Sequence, residues 1–295
     1  MRDIKNVIIN GGITLEEILE KHEKWVNGEE GGERARLNSV DLSYVDLSSV
    51  NLFDADLYNA DLTGANLSDT DLSYANLSYA NLKKVNLNYT NLKYANLSNA
   101  NLNNANLIQS DLTNADLTDS NLSNANLKYA NLVRGNLRDA ILYYADLSHA
   151  NLKKGDLSNV DLEYANLMGA NLKDAILDNV RYNECTSFFA LQCPEEGSFI
   201  GYKKARGKIV KLLITEDAER SNATTRKCRC SKAKVLSISD IANTREYEEV
   251  RSDFNYSFIY KVGEIVEVKD FDEDRWKECS TGIHFFLTRD EAVRY

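Results

Sequence analysis

Residues 35–180 predict a mainly-β solenoid, a chain wound into a tube from short extended sides joined by corners. Three observations predict it. Leucine stands at 37, 42, 47 and every fifth position to 177, 29 times without a miss. Two residues before each leucine sits a small residue: 18 Ala, 5 Val, 2 Thr, 2 Ser and 2 Gly. One residue before it stand 16 Asn and 10 Asp, with Arg36, Ile141 and Ile176 as the exceptions. Five residues of helix rotate the chain by about 500°, which scatters the leucines around the axis. A straight strand alternates faces, and five is odd, so successive leucines would point to opposite sides. A short side followed by a corner resets the parity. The leucine and the small residue then point inward in every unit, and the Asn or Asp between them points outward. The two positions after the leucine are free to vary. Coils built this way stack and pair their backbones.

The number of sides per coil is constrained weakly. If stacked neighbours are 20 residues apart, one Asp pair lies in adjacent coils, Asp41 with Asp61. A spacing of 25 also gives one, while 15 gives four, which like-charge repulsion disfavours. Tyrosine pairs such as Tyr74–Tyr94 and Tyr144–Tyr164 fit 20, but 15 gives three pairs.

Residues 1–34 read as an N-terminal cap over the open end of the tube. In "ITLEEILEKHEKWVNG", Thr14 and Glu17 form a capping box, Ile13 and Ile18 a hydrophobic staple, and Gly28 a stop. Leu15, Ile18, Leu19, His22 and Val26 follow helical spacing, so His22 is expected to flank the apolar face of the helix rather than to bind a ligand. The repeat ends near Val180, and residues 181–295 are a linker and a small α+β or mostly-β domain. There "KIVKLLI", "AKVLSIS", "FIYKVGEIVEV" and "IHFFL" read as strands and "TRDEAVRY" as a short helix.

The 295 residues are 43% hydrophobic with a net charge of −10. No run approaches the ~20 apolar residues of a membrane span, and "MRDIKNVIIN" lacks the apolar core of a signal peptide. A cytoplasmic location is expected. The five cysteines, Cys185, Cys193, Cys228, Cys230 and Cys279, all lie in the last third. They are the zinc candidates, but no C-x-x-C pair is present, so free thiols are expected and no metal or other cofactor. "RKCRCSKAK" places five basic residues in nine. An anion site is conceivable there, but the acidic residues of the domain balance it, and a solvated strand edge is expected. Asp270, Asp272 and Asp274 start like a calcium loop, but Arg275 stands where Gly is required and Thr281 where Glu is, which excludes it. Cys279 and His284 suggest thiol catalysis. No oxyanion or third-member motif accompanies them, and no enzymatic activity is expected.

The unit Ala-(Asp/Asn)-Leu-x-x, as in "ANLSYANLKK" and "ADLTDSNLSNANL", resembles the pentapeptide repeat family over residues 35–179. The resemblance implies a right-handed quadrilateral β-helix with four units per coil, about seven coils and ~35 Å long. The C-terminal domain resembles uncharacterised domains appended to bacterial or phage members. Two functions follow. One is a structural or binding scaffold for an unknown protein partner, with neither direct nucleic-acid binding nor membrane binding. The alternative, which some members imply, is a DNA mimic that modulates DNA gyrase. On a 20-residue register Asp116, Asp119, Asp139, Asp156 and Asp178 collect on one side as a possible acidic face. Arg134, Lys153, Lys154 and Lys173 collect on another, and from 76 to 106 every pre-leucine position is Asn, a neutral waist. A DNA mimic would want continuous negative charge, so the scaffold reading is the expectation. An unrecognised zinc-binding or enzymatic role of the C-terminal domain is a further alternative. The sequence leaves the oligomeric state open.

Overall fold

The computed structural model describes residues 2, 4, 7–9, 12–187, 193–194, 196–222, 225–273 and 280–295. The chain divides into two compact units, Met1–Ser187 and Phe188–Tyr295. Among the described residues no helix is long and apolar enough to cross a membrane.

In the first unit each pre-leucine residue bridges the residue 20 positions on, in parallel, from Arg36↔Asp56 without a break to Asp161↔Arg181. A coil is therefore four five-residue units. The pairing runs past Val180 and ends at Asn166↔Ser187, where one extra residue enters the spacing. Of the 29 repeat leucines, 28 are fully buried, and Leu177, in the last incomplete turn, is half-buried. The small residues share the interior. Where they carry a hydroxyl it donates to a backbone carbonyl: Thr70 to Leu47, Thr90 to Leu67, Ser110 to Leu107 and Ser120 to Leu117, at 2.6–2.9 Å. The tube thus holds no unpaired hydroxyl at these four positions.

In the unit Ala115–Asp119 every backbone N–H has a defined partner. Asp116 N–H bonds back to Ala95 O and Leu117 N–H forward to Asn136 O. Asp119 N–H goes forward to Arg138 O, and Ala115 N–H closes a β-turn onto Leu112 O. The remaining N–H, on Thr118, has no carbonyl in reach, and it donates to Asp116 Oδ1 at 3.1 Å. The same bond recurs along the coil, for instance from Ser43, Phe53, Ser73 and Ser123 to the residue two before each. An Asn or Asp before leucine is therefore favoured by the backbone, because a short side-chain acceptor supplies what the coil does not; Ile141 keeps its rungs without one.

The corner is the second residue after leucine. All 29 such residues, 27 of them not glycine, have a left-handed φ of 54–64° or, at Gly169, 69°. This position does not vary freely. Seven Asn, five Asp and two Gly tolerate the conformation, but eight tyrosines also occupy it, at a cost of about 1–2 kcal/mol for each such side chain. Part of that cost is recovered by stacking between coils: Tyr74 on Tyr94 (4.9 Å, 11°) and Tyr144 on Tyr164 (4.6 Å, 14°). Tyr44 and His149 instead lie over Gly64 and Gly169, where a Cβ would meet the ring at 2.7 and 2.6 Å. Tyr89, 57% exposed, has no stacked partner in the structure among the described residues. Tyr89→Asn is expected to stabilise the coil by about 0.5–1 kcal/mol, and Tyr74→Asn to gain less because it loses the ring pair. A denaturant midpoint for Tyr89→Asn at or below that of the parent would count against corner strain.

At the N-terminal edge Arg2 adds a parallel rung to Val45, and Ile8–Ile9 (β1) pairs with Ile13–Thr14 (β2). Helix α1, Leu15–Val26, follows, with Thr14 as N-cap in a complete capping box. Gly28 has φ 71° and donates its N–H to Trp25 O.

The second unit is antiparallel. The strands are β3 (Phe199–Ala205), β4 (Lys208–Ile214), β5 (Arg220–Asn222), β6 (Cys228–Cys230), β7 (Lys232–Asp240), β8 (Glu249–Arg251), β9 (Ile259–Lys261), β10 (Ile265–Glu267) and β11 (Ile283–Phe285), followed by helix α2 (Arg289–Arg294). One sheet has the order β10-β7-β4-β3, a second β11-β6-β5, and β8 pairs with β9. Arg206 and Gly207, with φ of 49° and 67°, turn β3 into β4, as a two-residue primed hairpin requires. The run "FIYKVGEIVEV" is broken at Gly263 (φ 85°) into β9 and β10, which join different sheets. Val210, Leu212, Val235, Ile238, Ile283 and Phe285 make the core, all at most 1% exposed.

Candidate functional site: the outer face of the coil

The interior of the coil is filled, so function on this unit falls to its exterior. The pre-leucine residues are largely committed there. Besides accepting the backbone N–H, they form side-chain ladders between coils: Asn66 Nδ2 donates to Asp46 at 2.9 Å, Asn91 to Asp71 at 3.0 Å and Asn136 to Asp116 at 3.1 Å. An amide can donate to a carboxylate, whereas two carboxylates repel, and Asp41↔Asp61 is the single Asp–Asp bridge in the ladder. Serine partners on the Asp oxygens, as Ser48 on Asp46, hold such carboxyls below the usual range.

This commitment bears on the acidic positions. Asp116 is half-buried and accepts from Thr118 N, Thr118 Oγ1 and Asn136 Nδ2. Asp156 is half-buried and accepts from Ser158 N and Oγ. The two lie on one column with Asn136 between them. Asp119, Asp139 and Asp178 are exposed, and Asp139 accepts from Asn159 Nδ2 at 2.9 Å. Lys93 and Lys128 bind Asp111 and Asp146 at 3.2 and 3.1 Å, which removes two further free carboxylates from the surface.

What the exterior offers instead is aromatic. A chain of rings runs outward from the buried His22 through Trp25 of α1 and Phe53 to Tyr74 and Tyr94, with centroid spacings of 5.5, 6.4, 5.6 and 4.9 Å. Tyr74 and Tyr94 are 52% and 50% exposed. Tyr143, Tyr144 and Tyr164 cluster further along, with centroids 4.6–5.3 Å apart. The corner position sets the Tyr74–Tyr94 and Tyr144–Tyr164 pairs, because corner residues 20 apart in sequence stack there. The Tyr74–Tyr94 and Tyr144–Tyr164 spacings are visible in the sequence, but the contacts of Trp25 and Phe53 are not.

His22 is fully buried rather than flanking the helix. Its Nδ1 accepts the Ala35 N–H at 3.0 Å, which ties α1 to the first coil. Burial and then Arg34 depress its pKa, so the ring is neutral, as an accepting Nδ1 requires. Three of the cysteines share the core of the second unit, and one lies in the first. Cys185 is exposed in the first unit, while Cys193, Cys228 and Cys230 are buried in the second. A hydrogen bond with Cys193 and then burial push the Cys228 thiol up, and burial pushes Cys230 up to about 12. Such thiols are protonated and unreactive. Among the described residues no three His, Cys, Asp or Glu side chains are placed to hold a metal ion. Cys279 and Asp274 lie outside the described residues. Asp272 does not face a calcium-like loop: its carboxylate accepts from Ser280 Oγ and its carbonyl from Arg229. His284 sits on β11 opposite Arg229.

The pentapeptide repeat family matches residues 51–88, 65–104, 80–119, 120–159 and 156–181, and a family of unknown function, DUF5758, matches residues 189–292. No curated protein matches the chain. Among solved structures, a pentapeptide repeat protein (Rfr23) from the cyanobacterium Cyanothece 51142 is 39% identical over 32% of this chain and 61% of its own, with a TM-score of 0.23. HetL, a pentapeptide repeat protein involved in heterocyst differentiation regulation from Nostoc, is 28% identical over 56% of this chain and 93% of its own, with a TM-score of 0.22. QnrB1, a plasmid-mediated fluoroquinolone resistance protein, is 18% identical over 52% of this chain and 86% of its own, with a TM-score of 0.29.

Proposed function

We propose that this chain, a pentapeptide repeat protein over residues 51–181 with a DUF5758 domain of unknown function over residues 189–292, is a non-enzymatic scaffold that binds a protein. In this reading the repeat is a right-handed four-sided β-helix of about seven coils, capped by α1, and it acts as a rigid post. The observation that carries the proposal is the band of rings that runs from the half-buried Trp25 and Phe53 to the exposed Tyr74 and Tyr94. Aromatic side chains give large contact area at low entropic cost and dominate protein interfaces. A filled tube has no room for a substrate, and its ladder residues are spent on one another. Affinity capture with the full chain tests the reading. A partner is expected to bind the parent and to be lost from Tyr74→Asn/Tyr94→Asn, a pair that keeps the corner conformation. Equal capture by both proteins would overturn the assignment of the band.

DNA mimicry makes the opposite demand on the surface. If Asp116, Asp119, Asp139 and Asp156 imitated phosphates, the protein should inhibit gyrase supercoiling, and the four-Asn variant should not. Inhibition should also fall steeply with salt. We expect no inhibition at micromolar protein, because Asp116 and Asp156 are half-buried and bonded to Thr118 and Ser158, and every pre-leucine residue from 76 to 106 is an amide. Salt-sensitive inhibition abolished by the four substitutions would replace the scaffold reading.

A further inference from the structure

The basic run Arg226–Lys234 is not the solvated edge that its charge balance predicts. Arg226 pairs with Glu291 and Lys232 with Asp217, while Lys227 and Arg229 turn inward, 8% and 1% exposed. The cations that face solvent in a group lie on the coil instead.

One side of the coil follows the column that bridges in parallel from Asn51 through Asp111 to Asn171. Two outward residues follow each leucine of that side. Toward the N-terminus these include Phe53, Tyr74, Lys93 and Tyr94, and toward the C-terminus Arg134, Lys153, Lys154 and Lys173. The last four are four of the ten lysines and arginines in residues 35–179. Arg134 and Lys154 are exposed corners, with φ of 57° and 60°, and Lys153 and Lys173 are half-buried. The backbone fixes their order: Asn114 N–H donates to Val133 O, Arg134 N–H to Lys153 O and Lys154 N–H to Lys173 O.

The column beside them explains why they stay unpaired. Lys93 and Lys128 each reach the pre-leucine Asp that stands 18 residues on, Asp111 and Asp146. For Lys153 that position is Asn171, and Asn131 and Asn151 complete a neutral column. None of the four cations forms an ion pair among the described residues. The carboxylates of these coils stand mostly on other sides, with Asp139 and Asp156 on one and Asp161 and Glu163 on another. Asp174 alone shares the cationic half. The same side therefore carries rings in one half and unneutralised cations in the other.

We propose that this side binds an acidic segment of a partner protein. Its carboxylates would lie on Arg134, Lys153, Lys154 and Lys173, and its apolar residues along Tyr74 and Tyr94. The proposal rests on the scaffold reading and gives the partner its chemistry. Charge complementarity carries it. A nucleic acid fits less well: Tyr74 and Tyr94 stack on each other at 4.9 Å, which uses the faces a base would need, and a net charge of −10 repels a polyanion. From Tyr74 to Asp174 is five rungs, about 24 Å, the length of a helix of about 16 residues.

Fluorescence anisotropy of the full chain with a labelled peptide tests it. The first half of the peptide alternates leucine and serine, and the second half is glutamate. Binding on the order of micromolar is expected, weakening steeply with salt. Lys153→Gln/Lys154→Gln should weaken it about tenfold. Lys83→Gln/Lys84→Gln, which alters the same two positions of a unit on a different side, should not. Gln109 already holds a corner with φ 57°, so both variants keep the coil. No binding of the peptide, or equal losses from the two lysine pairs, would overturn the site. Oligothymidylate binding as tightly as the peptide would overturn its assignment to an acidic protein segment. A loss with Lys153→Gln/Lys154→Gln but none with Tyr74→Asn/Tyr94→Asn would leave the cationic half standing and overturn the band of rings; the reverse result would keep the band and overturn the cationic half.

Discussion

Leu107→Lys unfolds the coil or destabilises it by about 5 kcal/mol or more. Leu107 is fully buried mid-tube, with its own N–H bonded to Asn126 O and its carbonyl receiving both Ser110 N–H and Ser110 Oγ. The lysine stem fits, but the ammonium has no acceptor inside a wall of leucine and alanine, and the closed tube offers no path to water. Lys83→Leu, at an exposed position directly after a leucine, should change stability by less than about 0.5 kcal/mol. Chemical denaturation followed by circular dichroism separates the two. Equal midpoints would refute the inward and outward assignment on which the whole coil rests.

Arg229→Ala is the counterpart in the second unit, and a loss of about 3 kcal/mol is expected. The guanidinium is 1% exposed, yet it bridges the carbonyls of Asp272 and Thr281 from the centre of β6. Truncation leaves two carbonyls short of a donor and a void beneath the Phe271 ring. Arg229→Lys should recover only part of the loss, since one ammonium does not reproduce the planar fork. The readout is the unfolding transition of the C-terminal unit. A midpoint for Arg229→Ala within a degree of the parent would show that the two carbonyl bonds contribute nothing.

The coil was legible because its constraint is periodic and local. A leucine every five residues excludes helix and flat strand by geometry alone, and the near absence of Asp–Asp neighbours at 20 follows from the ladder. Two features escaped notice for physical reasons. The corner position looks variable because tyrosine occupies a conformation that favours Asn, Asp and Gly, and its 14 Asn, Asp and Gly residues were the available signal. The pre-leucine acceptor looked like an outward solvated residue because its work, satisfying one orphan N–H, depends on which carbonyls the coil leaves in reach. In the C-terminal domain, strand existence was readable from apolar runs such as "KIVKLLI". The inward turn of Lys227 and Arg229 was not, because nothing in the alternation of "RKCRCSKAK" distinguishes a buried cation from a solvated one.

The 20-residue ladder also makes length a quantised variable. Excising or duplicating 20 residues in the middle of the tube removes or adds one rung and leaves every column in phase. Excising five keeps the leucine wall intact but advances everything downstream by a quarter turn, so Tyr144 and Tyr164 would move together to a neighbouring edge while Tyr74 and Tyr94 stayed where they are. An insertion that is not a multiple of five breaks phase, and the single extra residue between Asn166 and Ser187 marks where the winding stops. The repeat is thus a vernier: whole coils set reach, and single units set the direction in which a patch of rings faces.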